Sequence, residues 1–356
     1  MVKRLTRGTV PAGMLALTLL GAGCASGADA DPEITTTTRP GVAPTPPAKG
    51  AYFGAWAPPE SDAPTPSPSQ TPSTGGQPPV APGYGAGQPG MAPVAELERK
   101  LGRQVDIVHR YRSWTSQFPT AADRAVLDGP RQLLVSWAGA DTREVVSGRH
   151  DRLIRDRARA VKAAGRPMYI RWMRDMNGPG NAHRIHDAAT FVAAWKHVRA
   201  IFAAEGVANV AWVWCPTAVG FGGSVPSFYP GDDQVDWICA GALPSAANAY
   251  VDLSEGLRQF FEWTKDRPKP LMVAEVGVPR SYGDRRPEWF RRAAETLQHP
   301  KVKAVVYFNS DERAEESRDT RRRFAVDDNP KAVSALRELA TLPYFNPRNL
   351  PVTPSR

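Results

Sequence analysis

Residues 168–178 read MYIRWMRDMNG, and residues 270–277 read PLMVAEVG. Each stretch is an apolar run typical of a buried strand, and each delivers one carboxylate, Asp175 or Glu275, shortly before a glycine. Two carboxylates at the ends of buried strands suit cleavage of a glycosidic bond, because one must protonate the leaving oxygen while the other attacks or stabilises the sugar cation. The two stretches therefore predict a site that cleaves sugar polymers.

Eight strand-like runs recur along the chain. They are residues 52–56, 105–110, 132–137, 167–172, 210–215, 235–240, 270–274 and 302–308. Helical periodicity over residues 149–164, 188–205, 254–266 and 287–298 separates several of them. Eight strand–helix units with nearly continuous apolar strands predict an α/β fold, a single (β/α)8 TIM barrel. A doubly wound open sheet is the alternative, disfavoured because no Gly-x-Gly-x-x-Gly turn follows an early strand.

A barrel of this kind brings the two carboxylates to one face. Asp175 follows the fourth strand and Glu275 ends the seventh, so both lie at the C-terminal face, where barrel enzymes keep their chemistry. We expect the two carboxyl carbons to lie roughly 5 to 7 Å apart. Strand alternation also predicts that Arg171 faces the barrel interior together with Asp175.

Composition permits one large domain with a sizeable core. The chain has 356 residues, of which 42% are hydrophobic, and a formal net charge of +9. The arginine clusters at residues 285–286 and 321–323 lack interleaved aromatic residues, so we interpret them as solvated faces. We therefore expect no nucleic acid partner.

Residues 1–24 are typical of an export signal. Basic residues near the start precede an apolar run at residues 14–20, and small residues at 21–23 precede Cys24. The run is too short to span a membrane. The ending is similar to a bacterial lipoprotein signal, in which Cys24 becomes an acylated membrane anchor, and ordinary cleavage nearby is the alternative. We predict a protein that is secreted or anchored to the outer face of the cytoplasmic membrane.

Low-complexity composition divides the rest of the chain. Residues 25–49 lack apolar periodicity and predict a disordered tether. Residues 58–93 are rich in Pro, Ser, Thr and Gly and predict a disordered insertion after the first strand. The folded domain is then expected over residues 50–346, with a tail at 347–356.

Two cysteines, Cys215 and Cys239, lie in strand-like runs of the predicted domain. An exported protein could pair them in a disulfide, but buried free thiols are the simpler interpretation. No histidine lies near them, so the sequence predicts no metal site.

The chain from about residue 52 to residue 345 resembles glycoside hydrolase family 26. That family has a fourth-strand motif of Arg, two further residues and then His-Glu-Met-Asn-Gly, and this chain reads Arg171 through Gly178 as RWMRDMNG. The seventh-strand motif is similar to KPLMVAEVG at residues 269–277. Two supporting blocks, WVWCP at residues 212–216 and YPGDDQVDW at residues 229–237, follow in the right order.

The resemblance implies a retaining mechanism on a β-linked polysaccharide, mannan-like or a related β-glycan. Glu275 would be the nucleophile, and Asp175 the acid that protonates the leaving oxygen and then the base that activates water. No cofactor and no metal is expected, and the predicted partner is the polysaccharide, bound by a monomer. The resemblance also suggests that Arg171 orients Glu275.

Four residues depart from the family pattern. Asp175 stands where family members carry Glu, and Arg174 stands where they carry His, so we expect the guanidinium to lower the pKa of Asp175. After the sixth strand, Gly241 and Leu243 replace an Asp and a Tyr that contact the nucleophile and the sugar in mannanase-type members. A catalytically weakened member that binds polysaccharide at the cell envelope is therefore the alternative hypothesis.

Aromatic, basic and amide side chains near the predicted strand ends are candidates for sugar contact. They are Arg171, Arg174, Asn177, Trp137, Trp172, Trp214, Tyr229, Trp114 and His109. Each also has a structural interpretation, core packing for the tryptophans and loop shaping for Asn177.

Overall fold

Eight parallel strands close into a barrel in chain order, with the last strand hydrogen-bonded back to the first. The strands are β1 (Tyr52–Trp56), β2 (Ile107–Arg112), β3 (Gln132–Trp137), β4 (Met168–Trp172), β5 (Val210–Trp214), β6 (Trp237–Gly241), β7 (Leu271–Val276) and β8 (Val302–Phe308). The helices are α1 (Ala92–Leu101), α2 (Ala121–Leu127), α3 (Thr142–Val146), α4 (Asp151–Ala164), α5 (Ala188–Ala204), α6 (Leu253–Thr264), α7 (Arg286–Leu297) and α8 (Pro330–Thr341). The predicted (β/α)8 barrel is confirmed.

This computed structural model describes residue 1 and residues 33–58, 88–244, 250–311 and 323–353. The barrel lies in the second of two compact units, residues 32–356. The predicted signal segment beyond Met1, the acylation site Cys24, tether residues 25–32 and insertion residues 59–87 lie outside the described residues. None of the described helices is both long and apolar enough to cross a membrane.

The strands are buried on both faces, which explains their continuous apolar sequences. On β4, Tyr169 packs in the barrel interior with residues such as Ala211 and Met272, whereas Trp172 packs outward against α5. Arg171 shares the inner face with Tyr169, and its side chain is fully buried. Alternation along β4 thus directs a charge inward and a large aromatic ring under the helices.

Chain boundaries differ from the sequence prediction at three places. Tether residue Thr35 donates both its amide and its hydroxyl to the carbonyl of Pro268, each at 2.9 Å, so part of the predicted tether packs where β7 begins. Residues 92–93, expected in the insertion, begin helix α1. The amide of Thr353, in the predicted tail, donates to the carbonyl of Gly102 at 2.7 Å. Ordered backbone hydrogen bonds therefore extend beyond residues 50–346.

Cys215 and Cys239 form a disulfide in the barrel interior. The simpler interpretation of free buried thiols is therefore corrected. Strand pairing explains the contact, because Trp214 of β5 is the register partner of Ile238 of β6 and each cysteine follows one of these residues.

Asp106 joins several distant segments at the N-terminal end of the barrel. Its fully buried carboxylate accepts the amide of Phe53 at 3.0 Å, Arg103 at 2.8 Å and Arg348 at 2.6 Å. The carboxylate thereby holds β1, the loop after α1 and the C-terminal segment together.

We predict that Asp106→Ala lowers the free energy of unfolding by about 3 to 5 kcal/mol, because it leaves the buried Arg103 guanidinium without its carboxylate. Urea unfolding followed by circular dichroism measures the change. The matched control is exposed Asp128→Ala, for which we expect a change within about 0.5 kcal/mol. Equal effects of the two substitutions would contradict a structural role for Asp106.

Candidate active site

Glu275 lies at the C-terminal end of β7, where the strand leaves its regular pairing. The register with β8 shifts between Ala274 and Val276, and Glu275 itself has a positive φ of 55°. Such an irregularity re-aims a side chain at the rim of a barrel. The carboxylate is directed into the cleft floor, and the residue is only 5% exposed.

One oxygen of Glu275 receives all the hydrogen bonds and ion pairs that its carboxylate makes within the described residues. Oε1 accepts Arg171 Nη2 at 2.6 Å, lies 3.3 Å from Arg174 Nε, and accepts the hydroxyl of Tyr111. Oε2 is left facing the cleft.

Arg171 is held in place from below by two neutral side chains. Its Nε donates to Ser136 Oγ at 2.7 Å, and its Nη2 lies 3.3 Å from His109 Nε2. Burial, followed by the charge of Arg171, lowers the pKa of His109 well below its usual value, so this ring stays neutral. A neutral His109 therefore adds no charge that would compete with Arg171 for the carboxylate.

Asp175 lies on the loop after β4, which neighbouring strands fix in position. Its amide donates to the carbonyl of Cys215 at 2.9 Å, and Asn181 Nδ2 donates to its carbonyl at 3.1 Å. Oδ2 accepts Arg174 Nη1. Since Arg174 also contacts Glu275, one guanidinium bridges both carboxylates.

Gly241, at the end of β6, lets the two carboxylates approach each other. A Cβ atom there would lie 3.1 Å from Asp175 Oδ1 and 3.8 Å from Glu275 Oε2. The two oxygens are therefore at most about 7 Å apart, within the range that two-carboxylate glycosidases use. They are also the oxygens that Arg171 and Arg174 do not occupy.

The backbone carries unusual conformations at this point. Among the described residues, four residues other than glycine have positive φ, and three of them are Met173 at 50°, Asp175 at 54° and Glu275 at 55°. Each such conformation costs on the order of 1 to 3 kcal/mol and persists where the surroundings impose it. Their clustering around the carboxylates marks a functional site.

The two carboxyl groups have opposite pKa shifts. Burial alone would raise the pKa of Glu275, but Arg171 and Arg174 together hold it below its usual range. The pKa of Asp175 is raised, first by burial and then by the charge of Glu275, and these effects outweigh Arg174. Arg174 lowers the pKa of Asp175 as expected, but burial and the charge of Glu275 raise it by more. A pair whose pKa values are driven apart is suited to one acid and one nucleophile.

A cleft extends from Asp175 in two directions. The larger part, here called the arginine arm, has a volume of about 670 Å³ and is lined by Arg112, Arg174 and Arg184 together with Trp56 and Tyr111. The smaller part, the apolar arm, has a volume of about 310 Å³ and is lined by Leu243, Val251, Leu253 and Trp289 as well as Glu275. A linear polymer could therefore extend on both sides of the carboxylates.

Comparisons with known proteins agree with the sequence motifs. No family model matches the chain. Endoglucanase H of Acetivibrio thermocellus is 27% identical over 281 residues, which cover 73% of this chain and 30% of that protein. The chain spans only 30 to 43% of the length of the curated relatives that it matches.

Solved structures share the fold. The catalytic domain of a family 26 endo-β-1,4-mannanase from Bacillus sp. JAMB-750 has a TM-score of 0.58 at 15% identity, covering 83% of this chain and 86% of that one. A family 26 β-mannanase from Bacteroides ovatus has the same TM-score at 14% identity, covering 83% and 90%. The chain resembles glycoside hydrolase family 26. The resemblance predicted from the two motifs is thereby confirmed.

The structure brings together four residues of the two stretches that resemble the family 26 fourth- and seventh-strand motifs. Asp175, Glu275, Arg171 and Arg174 form one connected network at the C-terminal face. Asn177 does not join it, because its side chain binds Thr217 and the carbonyl of Val219. Its predicted sugar contact is corrected to a structural role, in which it links the loops after β4 and β5.

Most of the aromatic candidates lie outside the cleft. Trp172 and Trp214 are fully buried on the outer side of the barrel, Trp172 stacked on Phe191 and Trp214 donating to the carbonyl of Phe228. Tyr229 packs on Trp214 and donates to Asp232. Their predicted sugar contacts are corrected, since outward-facing strand positions and the loop after β5 direct these rings under the helices.

The remaining candidates lie beneath or beside the cleft. Trp137 lines the arginine arm but is fully buried, and it donates to the carbonyl of Trp114 at 3.0 Å. Trp114 stacks on Trp137 and is 9% exposed, and His109 lies under Arg171 with no exposure. The predicted sugar contact of His109 is corrected to support of Arg171.

Tyr111 is the functional residue that the sequence reasoning missed. It lies on β2, two residues beyond His109, and its hydroxyl donates to Glu275. Strand alternation could have identified it, because residues 109 and 111 lie on the same inner face of the strand. Tyr111 gives Glu275 a tyrosine contact, although Leu243 occupies the position after β6 where the family has a tyrosine.

The described residues contain no cluster of His, Cys, Asp or Glu with the geometry of a metal site. That the protein uses no metal and no cofactor stays a prediction.

We predict that Arg174→Gln raises the pKa of both Glu275 and Asp175, since the guanidinium lowers each of them. Carbon-13 NMR titration of labelled carboxyl groups measures both values. Exposed Arg152→Gln, outside the cleft lining, is the matched control and should leave both unchanged. A lowered pKa for either carboxyl group in Arg174→Gln would contradict the bridging role.

Proposed function

We propose that the protein is a retaining glycoside hydrolase that cleaves a β-linked polysaccharide within its chain. One observation carries this proposal. Asp175 Oδ1 and Glu275 Oε2 face each other across Gly241 on the floor of a cleft that extends in both directions. The names of the curated relatives, an endoglucanase and two β-1,3-xylanases, support polysaccharide cleavage.

In the first step Glu275 Oε2 attacks the anomeric carbon. Oε1 is held by Arg171 and Tyr111, so attack comes from the oxygen that faces the cleft. Asp175 Oδ1 donates its proton to the leaving glycosidic oxygen as the bond breaks, which gives a covalent glycosyl–Glu275 ester and a free sugar end. The pKa of Asp175 is raised, the direction that a proton donor needs, and the pKa of Glu275 is lowered by Arg171 and Arg174, the direction that a nucleophile needs.

In the second step the ester is hydrolysed. Asp175, now a carboxylate, takes a proton from water, and the hydroxide adds to the anomeric carbon and displaces Glu275. Two inversions give net retention. Arg174 contacts both side chains, so it stabilises the charge as it shifts from Glu275 to Asp175 and back.

We predict that Glu275→Ala abolishes hydrolysis of soluble β-mannans, mixed-linkage β-glucans, xylans and acidic polysaccharides, whichever of them the wild type cleaves. Exposed Glu288→Ala should retain wild-type rates. Proton NMR of the first product should show the β-anomer. Initial release of the α-anomer would contradict the retaining mechanism, and full activity of Glu275→Ala would contradict the site.

A second candidate function is polysaccharide binding with weak catalysis. The observation that favours it is the contact between Arg174 and the shortened acid Asp175, which occupies one of its two oxygens. The variants Asp175→Glu and Arg174→His separate the two functions. An enzyme limited by its short acid gains rate in Asp175→Glu, whereas a binding protein gains none and holds polysaccharide equally well.

The sequence supports a location outside the cytoplasmic membrane, and we propose that Cys24 is acylated and anchors a monomeric enzyme there. In a bacterial host, Cys24→Ala should move the protein from the detergent phase to the aqueous phase in Triton X-114 partition, because the acyl chains are lost. Exposed Asp128→Ala, which leaves all three cysteines in place, is the control and should stay in the detergent phase. Unchanged partition of Cys24→Ala would exclude lipid attachment at this residue.

A further inference from the structure

The arginine arm of the cleft is rich in positive charge. Three guanidinium groups line it, those of Arg112, Arg174 and Arg184. Within the part of the chain that the structure describes, Asp175 is the one carboxylate that lines this arm. The apolar arm is different, because Asp175, Asp252 and Glu275 line it and none of its lining residues within the described ranges is basic.

Two of the three arginines are already neutralised. Arg112 donates to both oxygens of the buried Asp123, and Arg174 bridges Asp175 and Glu275. These pairs fix their guanidinium groups and leave little charge for a ligand.

Arg184 is the exception. Its backbone is fixed, because its carbonyl accepts the amide and hydroxyl of Thr142 at 2.9 and 3.1 Å and its own amide donates to Asn181 at 2.9 Å. Over residues 33–58, 88–244, 250–311 and 323–353, its half-buried side chain makes no ion pair. The nearby carboxylate of Asp141 is taken by His186 and by the first amides of α3. A fixed loop thus presents an uncompensated guanidinium to the cleft.

We propose that the polysaccharide cleaved here carries carboxylates, and that Arg184 binds one of them in the arginine arm. This inference rests on the proposed function for the placement of the polymer along the cleft. A guanidinium binds a carboxylate through two parallel N–H groups, which fixes the orientation of a uronate ring as well as its charge. Without the basic residues Lys3, Arg4 and Arg7 of the predicted signal segment, the chain keeps a formal net charge of about +6, which adds long-range attraction for an acidic polymer.

The test compares sugars that differ only in their carboxyl groups. The probes are hexasaccharides of β-1,4-linked mannuronate and of β-1,4-linked glucuronate, each beside the neutral hexasaccharide made by reducing its carboxyl groups. Binding is measured by calorimetry in the Glu275→Gln background, so that no probe is cleaved. Arg184→Gln and the matched Arg152→Gln are made in that same background.

We expect the acidic member of at least one pair to bind about tenfold or more tightly than its reduced form. Arg184→Gln should remove that preference, Arg184→Lys should restore part of it, and Arg152→Gln should keep it. The preference should also weaken as salt rises from about 0.05 to 0.5 M, because ions screen the contact. The proposal is overturned if neither acidic hexasaccharide is preferred, or if Arg152→Gln lowers the preference as much as Arg184→Gln does.

Kinetics with the wild-type catalytic residues separate this proposal from the proposed function. If a neutral β-glycan is cleaved and no acidic preference exists, the proposed glycoside hydrolase activity is supported and the proposed acidic substrate is rejected. If acidic sugars bind through Arg184 and Glu275→Ala changes no hydrolysis rate, the proposed acidic ligand is supported and the proposed catalytic site is rejected.

Discussion

The ion pair between Arg171 and Glu275 is the contact on which the site depends. A carboxylate that is 5% exposed would otherwise take up a proton, and a neutral carboxylic acid cannot act as a nucleophile. Arg171 can supply this charge only because it is itself held by Ser136 and a neutral His109. The whole inner layer of β2, β3 and β4 at this level thus serves to keep Glu275 ionised.

The two carboxylates obtain different properties from different surroundings. Glu275 is surrounded by donors that favour its charge, whereas Asp175 is buried next to that charge and shares Arg174 with it. The lowering effect of Arg174 on the pKa of Asp175 was predictable from the sequence, since the two residues are adjacent. The larger effects that raise this pKa were not predictable, because burial and the position of Glu275 relative to Asp175 are properties of the closed barrel, which no local motif contains.

Strand positions and the inward placement of Arg171 were predictable, because alternation and apolar runs are local signals. The tryptophans were not, since a strand-end ring can face either side of the barrel wall, and Trp172 and Trp214 face outward. Strand alternation also predicts that Tyr111 faces inward, but Tyr111 lies in no recognisable motif. The position of Arg184 in the cleft was not predictable, because it lies on the loop after β4, whose course depends on contacts with Thr142 and Asn181.

The hydrogen bonds of Thr35 with Pro268 have a practical consequence. They fix the incoming chain where β7 begins, at the end of the barrel away from the carboxylates. A bead or a fluorescent label attached at exposed Glu33 would therefore be held at the rear of the barrel. Immobilisation through this end should leave both openings of the cleft accessible to long polymers.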